Sequence, residues 1–220
     1  MDNAYYVFIE ALNNTWVDGG PVMLPILLTG CIGFYFVFAA WMRIGVDFFR
    51  NESPKSIQKM HERLDAHDMR GARNVLRATS GFVSKELRLA LSHAEESPQE
   101  VYGYLTERML KTNRYLDKGT LIISVMAISA PLLGLLGTVT GMVATFNVIT
   151  LYGNSNPVLM ADGISEALIT TQSGLLIAFP LTLLKQRLDD RIETIKQQIE
   201  LGFTIILHHS HSLKEGSHEF

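Results

Sequence analysis

The sequence predicts an all-α membrane protein, with three transmembrane helices and long helical extensions on the cytoplasmic side. Three observations carry that prediction. Of 220 residues 47% are hydrophobic and only 19% charged, below the roughly 25% usual in soluble domains. All 19 Lys and Arg fall in two blocks, 14 in residues 43–118 and 5 in residues 185–220, with none in 1–42 or 119–184. The uncharged stretches left between the blocks are as long as membrane spans.

The first span is placed at 19–42, a run of 24 uncharged residues from Gly19 to Met42. At about 1.5 Å per residue it reaches roughly 36 Å, enough for the ~30 Å hydrocarbon core. Trp16 and Trp41 bracket it, as interfacial aromatics do. The next uncharged stretch, Gly119–Ala161, has 43 residues, too long for one crossing. The second span is set at 119–152, ending at Gly153-Asn154-Ser155-Asn156-Pro157, and 153–163 is expected to be a loop on the outer side. The third span, 164–184, contains the 18-residue uncharged run Ala167–Leu184, closed by Lys185 and Arg187.

Basic residues set the orientation. Arg43, Arg50, Arg114 and Lys118 lie close to the ends of the first two spans, so 43–118 and 185–220 are expected in the cytoplasm. The N-terminal segment 1–18 then faces outward. Its apolar residues Tyr5, Tyr6, Val7, Phe8 and Ile9 suit either a short interfacial helix or an extension of the first span. Met1-Asp2-Asn3-Ala4 lacks the basic n-region of a cleavable signal peptide.

The cytoplasmic parts read as helix. Ser97-Pro98-Gln99-Glu100 is a capping box with Pro at the first helical position. From there one helix is expected to run to about Tyr152, kinked at Pro131 inside the membrane; Pro180 is a second kink candidate. Between Pro54 and Ala94 two shorter helices are expected, broken near Gly71 and Ser80-Gly81. Past Lys185, Leu188, Ile192, Ile195 and Ile199 form an amphipathic stripe for packing.

Small and hydroxyl residues mark the second and third spans. Gly134, Thr138, Gly141 and Thr145 share a helical face, accompanied by Gly137; Ala167, Thr171, Gly174, Ala178 and Thr182 recur similarly. Two readings stay open: close helix packing, or the lining of a pore or partner groove. Thr170-Thr171-Gln172-Ser173 places four polar residues in a row, so part of that turn must face protein or water. Glu166 complements the helix dipole or marks an ion path. Residues 119–161 and 167–184 contain no Asp, Glu, Lys, Arg or His. A proton path usually needs a titratable group at membrane depth, so a partner would have to bring it.

Other chemistry is poorly supported. Neither a Ser-His-Asp arrangement, a metal-binding HExxH pattern nor a P-loop occurs, so no enzyme and no cofactor is expected. A basic stripe interleaved with aromatics is missing, which argues against a nucleic-acid partner. The single cysteine, Cys31, excludes an intrachain disulfide. His208, His209, His211 and His218 are expected to be a solvated tail rather than metal ligands; His61, His67 and His93 are expected on the surface. Arg63, Arg70, Arg73, Arg77, Lys85 and Arg88 are expected to solvate cytoplasmic helices, and Arg43 and Lys118 to lie nearest anionic headgroups.

Two motifs bear a resemblance. Gly134-Leu135-Leu136-Gly137-Thr138-Val139-Thr140-Gly141-Met142 with Thr145-Phe146 resembles the second-span signature of the MotA/TolQ/ExbB proton-channel family. Gly163-Ile164-Ser165-Glu166-Ala167-Leu168-Ile169-Thr170-Thr171, with Gly174-Leu175 and Ala178-Phe179-Pro180, resembles its third-span signature. With three rather than four spans and the short start Gly19-Gly20-Pro21-Val22-Met23-Leu24-Pro25, the chain looks most like the ExbB branch. The resemblance implies an inner-membrane motor subunit in a homopentameric ring around an ExbD/TolR-like single-span partner that carries a membrane aspartate. It implies that proton flow energises a TonB-like protein for outer-membrane import, or a TolA-like one in a TolQ-type envelope motor. A non-conducting membrane scaffold is the alternative outside that class. By motif, Thr138 and Thr171 are the hydroxyls facing the partner's acid and Glu166 the polar residue near the outer mouth. Thr145 and Gln172 are further lining candidates, and Gly134, Gly137, Gly141, Gly174 and Ala178 are packing residues.

Overall fold

The computed structural model describes residues 19–44, 53–94, 96–153 and 157–215. The expected interfacial segment 1–18, Trp16 and His218 lie outside them. Among the described residues there are seven α-helices and no strand: α1 Met23–Ile44, α2 Ser53–Asp65, α3 Met69–Ala78, α4 Phe82–Leu91, α5 Pro98–Leu116, α6 Thr120–Tyr152 and α7 Pro157–Glu215. Three helical stretches, within α1, α6 and α7, are long and apolar enough to cross a membrane. The chain divides into two units: residues 1–38 with 119–186, and residues 39–118 with 187–220.

In the first unit, α1, α6 and α7 pack through small residues. Gly174 meets Ala130, Gly134 meets Thr170 and Thr171, and Gly141 meets Gly163 and Ala167. Numbers rise on α7 as they fall on α6, so these helices are antiparallel. Gly30 faces Ile177 and Gly33 faces Leu181, so α1 runs parallel to α7; Gly33 also meets Met126, and Phe36 lies on Gly119. This is the alternation that three successive crossings require. Ile26, Ile123, Ala130, Thr170 and Leu181 are fully enclosed. Pro25 sits in the first turn of α1, where its missing N–H costs nothing, and its carbonyl accepts from Thr29 Oγ1 at 2.7 Å.

Two boundaries of the long helices differ from expectation. The helix beginning at Pro98 does not continue unbroken to Tyr152: it ends at Leu116, and α6 starts after Gly119, whose φ of +88° is left-handed. A side chain is strained in that conformation, and the Phe36 ring occupies the space it would need. The loop set at 153–163 is shorter, because Pro157 opens α7 and residues 157–163 are helical. Pro is well suited to that first position, since its fixed φ is already helical and no N–H is lost. Pro131 and Pro180 both lie inside continuous helices.

In the second unit the region 53–94 forms three helices, not two. The first break falls at residues 66–68 rather than at Gly71, because Asp68 caps α3 by accepting from the Gly71 N–H at 2.8 Å. His67, at φ +55°, turns the chain there. The Ser97 capping box is present, with Glu100 Oε2 accepting from the Ser97 N–H at 3.0 Å. Leu188, Ile192, Ile195 and Ile199 are buried as the stripe predicts, continued by Phe203 and Ile206. Leu87 packs on Gly202. Lys196 is paired with Asp117 at 2.8 Å.

A buried ion pair joins α4 to α5. Glu86, 3% exposed, accepts from Arg108 Nε at 2.6 Å and Nη2 at 3.0 Å, and from Thr112 Oγ1 at 3.3 Å. Two parallel donors to one carboxylate fix direction as well as charge. His208 and His211 are exposed as expected but lie on the last turns of α7, whereas His209 is buried beside His67, ring centroids 5.7 Å apart. The heptad-like stripe of α7 carries it inward, and its Nε2 has no hydrogen-bond partner. His61 and His67 are exposed, whereas His93 is half-buried against Tyr104 and hydrogen-bonded to Glu96 at 2.8 Å. No group of three or more metal-ligating side chains occurs among the described residues.

Two outcomes follow. Replacing Glu86 by Gln leaves the Arg108 charge without its counterion, so thermal unfolding should show a loss of about 2 kcal/mol, reduced from a fully buried pair because Arg108 keeps some solvent. Burial, then the neighbouring His67, hold His209 below its ordinary value of 6.5, partly offset by Asp65. The unfolded chain therefore takes up the proton more readily than the fold. Stability from this group is complete above 6.5 and falls as pH drops through 6.5 toward the lower folded value. The melting temperature should fall over that window, and His209→Leu should flatten the fall.

Candidate functional site

The site candidates lie along the seam between α6 and α7. Its α6 side buries Gly134, Gly137, Gly141 and Thr145; its α7 side buries Gly163, Ala167, Thr170, Ser173, Gly174 and Ala178. A Cβ on Gly137 would collide with the Thr170 hydroxyl, and one on Gly174 would come within 2.6 Å of the Ala130 carbonyl oxygen. The glycines are therefore what lets the two backbones approach, as close packing in lipid demands.

The sequence stripes hold at Gly134, Gly141, Thr145, Ala167, Gly174 and Ala178 and differ only at threonine positions. Thr138 is half-buried at the seam's edge, and Gly137 takes the central position; Thr171 is likewise half-buried, and Thr170 is central. Thr182 is exposed. Spacings of three and four both fit a 3.6-residue turn, so periodicity alone leaves this choice open. Thr170 and Ser173, expected only as members of a polar turn that must in part face protein, are the two of its four residues that are buried at the seam. Their spacing from Gly163, Ala167 and Gly174 was the available signal.

Each seam threonine already donates to a backbone carbonyl. Thr138 Oγ1 bonds Leu135 at 2.6 Å, Thr145 bonds Gly141 at 3.0 Å, and Thr170 bonds Ala167 at 2.9 Å. Thr171 differs, because its hydroxyl crosses the seam to the Gly134 carbonyl at 3.1 Å. Each Oγ keeps lone pairs that can accept from a protonated acid; to serve a carboxylate the hydroxyl must leave its carbonyl. Thr138 and Thr171, at the edge, are reachable from outside the pair. Thr145, 3% exposed, is enclosed against Gly163 and does not line an open path within one chain. Gln172 is exposed. Glu166 is half-buried, its carboxylate lying against Gly20 ahead of α1.

A model of the MotA/TolQ/ExbB proton channel family matches residues 74–201, a stretch containing the whole seam. The chain belongs to this family. It is 30% identical over 176 residues to the ExbB-like 1 biopolymer transport protein of Synechocystis, covering 76% of this chain and 66% of that protein. The ExbB homolog of Methanothermobacter thermautotrophicus is 29% identical, with 81% and 67% covered. The biopolymer transport protein ExbB of Salmonella typhimurium is 27% identical, with 72% and 68% covered. The matched stretch is thus about two thirds of each relative's own length.

The close approach at Gly137 is testable. Gly137→Val should force the helices apart and lower the melting temperature in detergent by an amount matching about 1–3 kcal/mol of overpacking. Gly103→Ala, where an added Cβ meets nothing within 4 Å, should leave it unchanged or slightly raised.

Proposed function

We propose that this protein is the multi-span subunit of a proton-driven motor of the ExbB kind in a bacterial inner membrane. The observation that carries the reading is the threonine pair at the seam's edge, Thr138 and Thr171, in spans that hold no Asp, Glu, Lys, Arg or His from 119 to 161 or 167 to 184. Hydroxyls without an acid form half of a proton-transfer site. The other half would be an aspartate on the single span of an ExbD/TolR-like partner. While protonated, that acid donates to a threonine Oγ; once ionised, it draws the hydroxyl proton away from the backbone carbonyl. Alternation between the two arrangements ties proton movement to a change in helix contacts.

Several features support the surrounding assembly. Leu121, Leu135, Val139, Phe146, Leu168, Leu176 and Phe179 are exposed on the single chain, as expected for surfaces covered by lipid or by neighbours in a homopentameric ring. The confinement of basic residues to 43–118 and 185–220 supports a cytoplasmic position for those segments and a periplasmic N-terminus. The subunit makes no covalent change to a substrate, and its work is passed to a TonB-like protein. Glu166, against Gly20, would sit near the outer mouth.

Proton flux into liposomes tests the reading. Flux should require both this protein and its partner, and Thr171→Val should lower it at least 10-fold while the complex still forms. Undiminished flux in Thr171→Val would remove the site assignment. A well-formed complex that neither conducts nor drives a TonB-like protein would favour a scaffold.

A further inference from the structure

The second unit holds a cleft of about 580 Å³ that the motor reading leaves unused. Its walls come from the end of α1, the start of α4 and the second half of α5, and include Arg43, Phe82, Lys85, Lys111 and Tyr115. Four cations line it, Arg43, Lys85, Arg108 and Lys111, against one acid, Glu86. That acid is already consumed by Arg108.

Arg43 is held in place without a counterion. Its Nη2 donates to the carbonyls of Leu116 at 3.2 Å and Lys118 at 2.7 Å, and its guanidinium lies 5.4 Å from the Tyr115 ring centroid. The Arg43 Nε is buried with no hydrogen-bond partner. No ion pair among the described residues engages Arg43 or Lys85. Lys111 pairs with Glu107, both largely exposed, a contact too solvated to hold it against a stronger anion. Phe82 stacks on Tyr115 at 5.6 Å, giving the cleft an apolar wall beside its charges.

We propose that this cleft binds a phosphate-bearing anion, with Arg43, Lys85 and Lys111 as the cationic donors. An oriented guanidinium with an unused donor, flanked by two exposed ammonium groups, suits the several acceptor oxygens of a phosphate ester. The volume exceeds what a bare phosphate needs, and the stacked aromatics accept the carbon part of a larger ligand. Arg43 is the first charged residue after the apolar run of α1, so the phosphate can come from a lipid headgroup at the bilayer surface or from a soluble ester. The site does not depend on the proton path.

The test titrates short-chain phosphatidylglycerol into the detergent-solubilised full chain by calorimetry, and separately titrates inorganic phosphate. Saturable binding of at least one probe is expected, weakened on the order of 10-fold or more by Lys85→Gln with Lys111→Gln. Both lysines are exposed, so the double variant should keep its melting temperature. Arg77→Gln, an exposed cation outside the cleft, should bind as the unmodified chain does. Either source supports the site: displacement of the lipid by millimolar phosphate points to a soluble ligand, and its persistence to a headgroup. The proposal is overturned by unchanged affinity in the double variant, by an equal loss in Arg77→Gln, or by no saturable binding of either probe.

Discussion

Helices that pack inside a bilayer gain little from leaving lipid, because the tails are as apolar as the side chains, so contact distance and backbone satisfaction decide what holds. In this protein those two demands meet between α6 and α7. Gly134, Gly137, Gly141 and Gly174 remove the side chains that would keep the backbones apart. The threonine hydroxyls there are each satisfied by a carbonyl within reach. The position of Thr171, the exposure of Thr138 and the orientation of α1 along Gly30 and Gly33 all follow from that approach.

The same arrangement sets the chemistry available. A threonine buried among carbonyls has its proton committed, and one at the rim can exchange that carbonyl for an external acceptor. Thr145 and Thr170 belong to the first kind, Thr138 and Thr171 to the second. The Thr171 bond to Gly134 links the two helices. Its loss to a partner carboxylate would therefore alter the contact between helices as well as the charge distribution. In a low-dielectric interior such small exchanges carry more weight than they would in water.

The second unit is built by ordinary aqueous rules. An apolar stripe on α7 closes a core with Leu76, Leu87, Leu91 and Leu116, and the Glu86–Arg108 pair ties α4 to α5. Its polarity is concentrated rather than dispersed. One buried acid serves one arginine, which leaves Arg43 and Lys85 facing a cleft whose carboxylate is already paired. His209, drawn inside by the period of α7, is another group whose behaviour depends on burial rather than residue type.

The sequence by itself determined the helical class, the three apolar stretches, the capping box at Ser97 and the buried stripe from Leu188 to Ile199. Each rests on local composition or on a period repeated over many residues, which no tertiary contact can reverse. It also marked the glycines and threonines of the seam through their unusual density. Only the tertiary structure decided which of two neighbours faces inward, Gly137 over Thr138 and Thr170 over Thr171, because a 3.6-residue turn admits either until a second helix is set against it. It likewise decided that the chain breaks at Gly119, that α3 begins after Asp68 and that His209 is core rather than tail. Those outcomes depend on Phe36, on a capping bond and on His67, each a contact or turn geometry that hydrophobic periodicity does not encode.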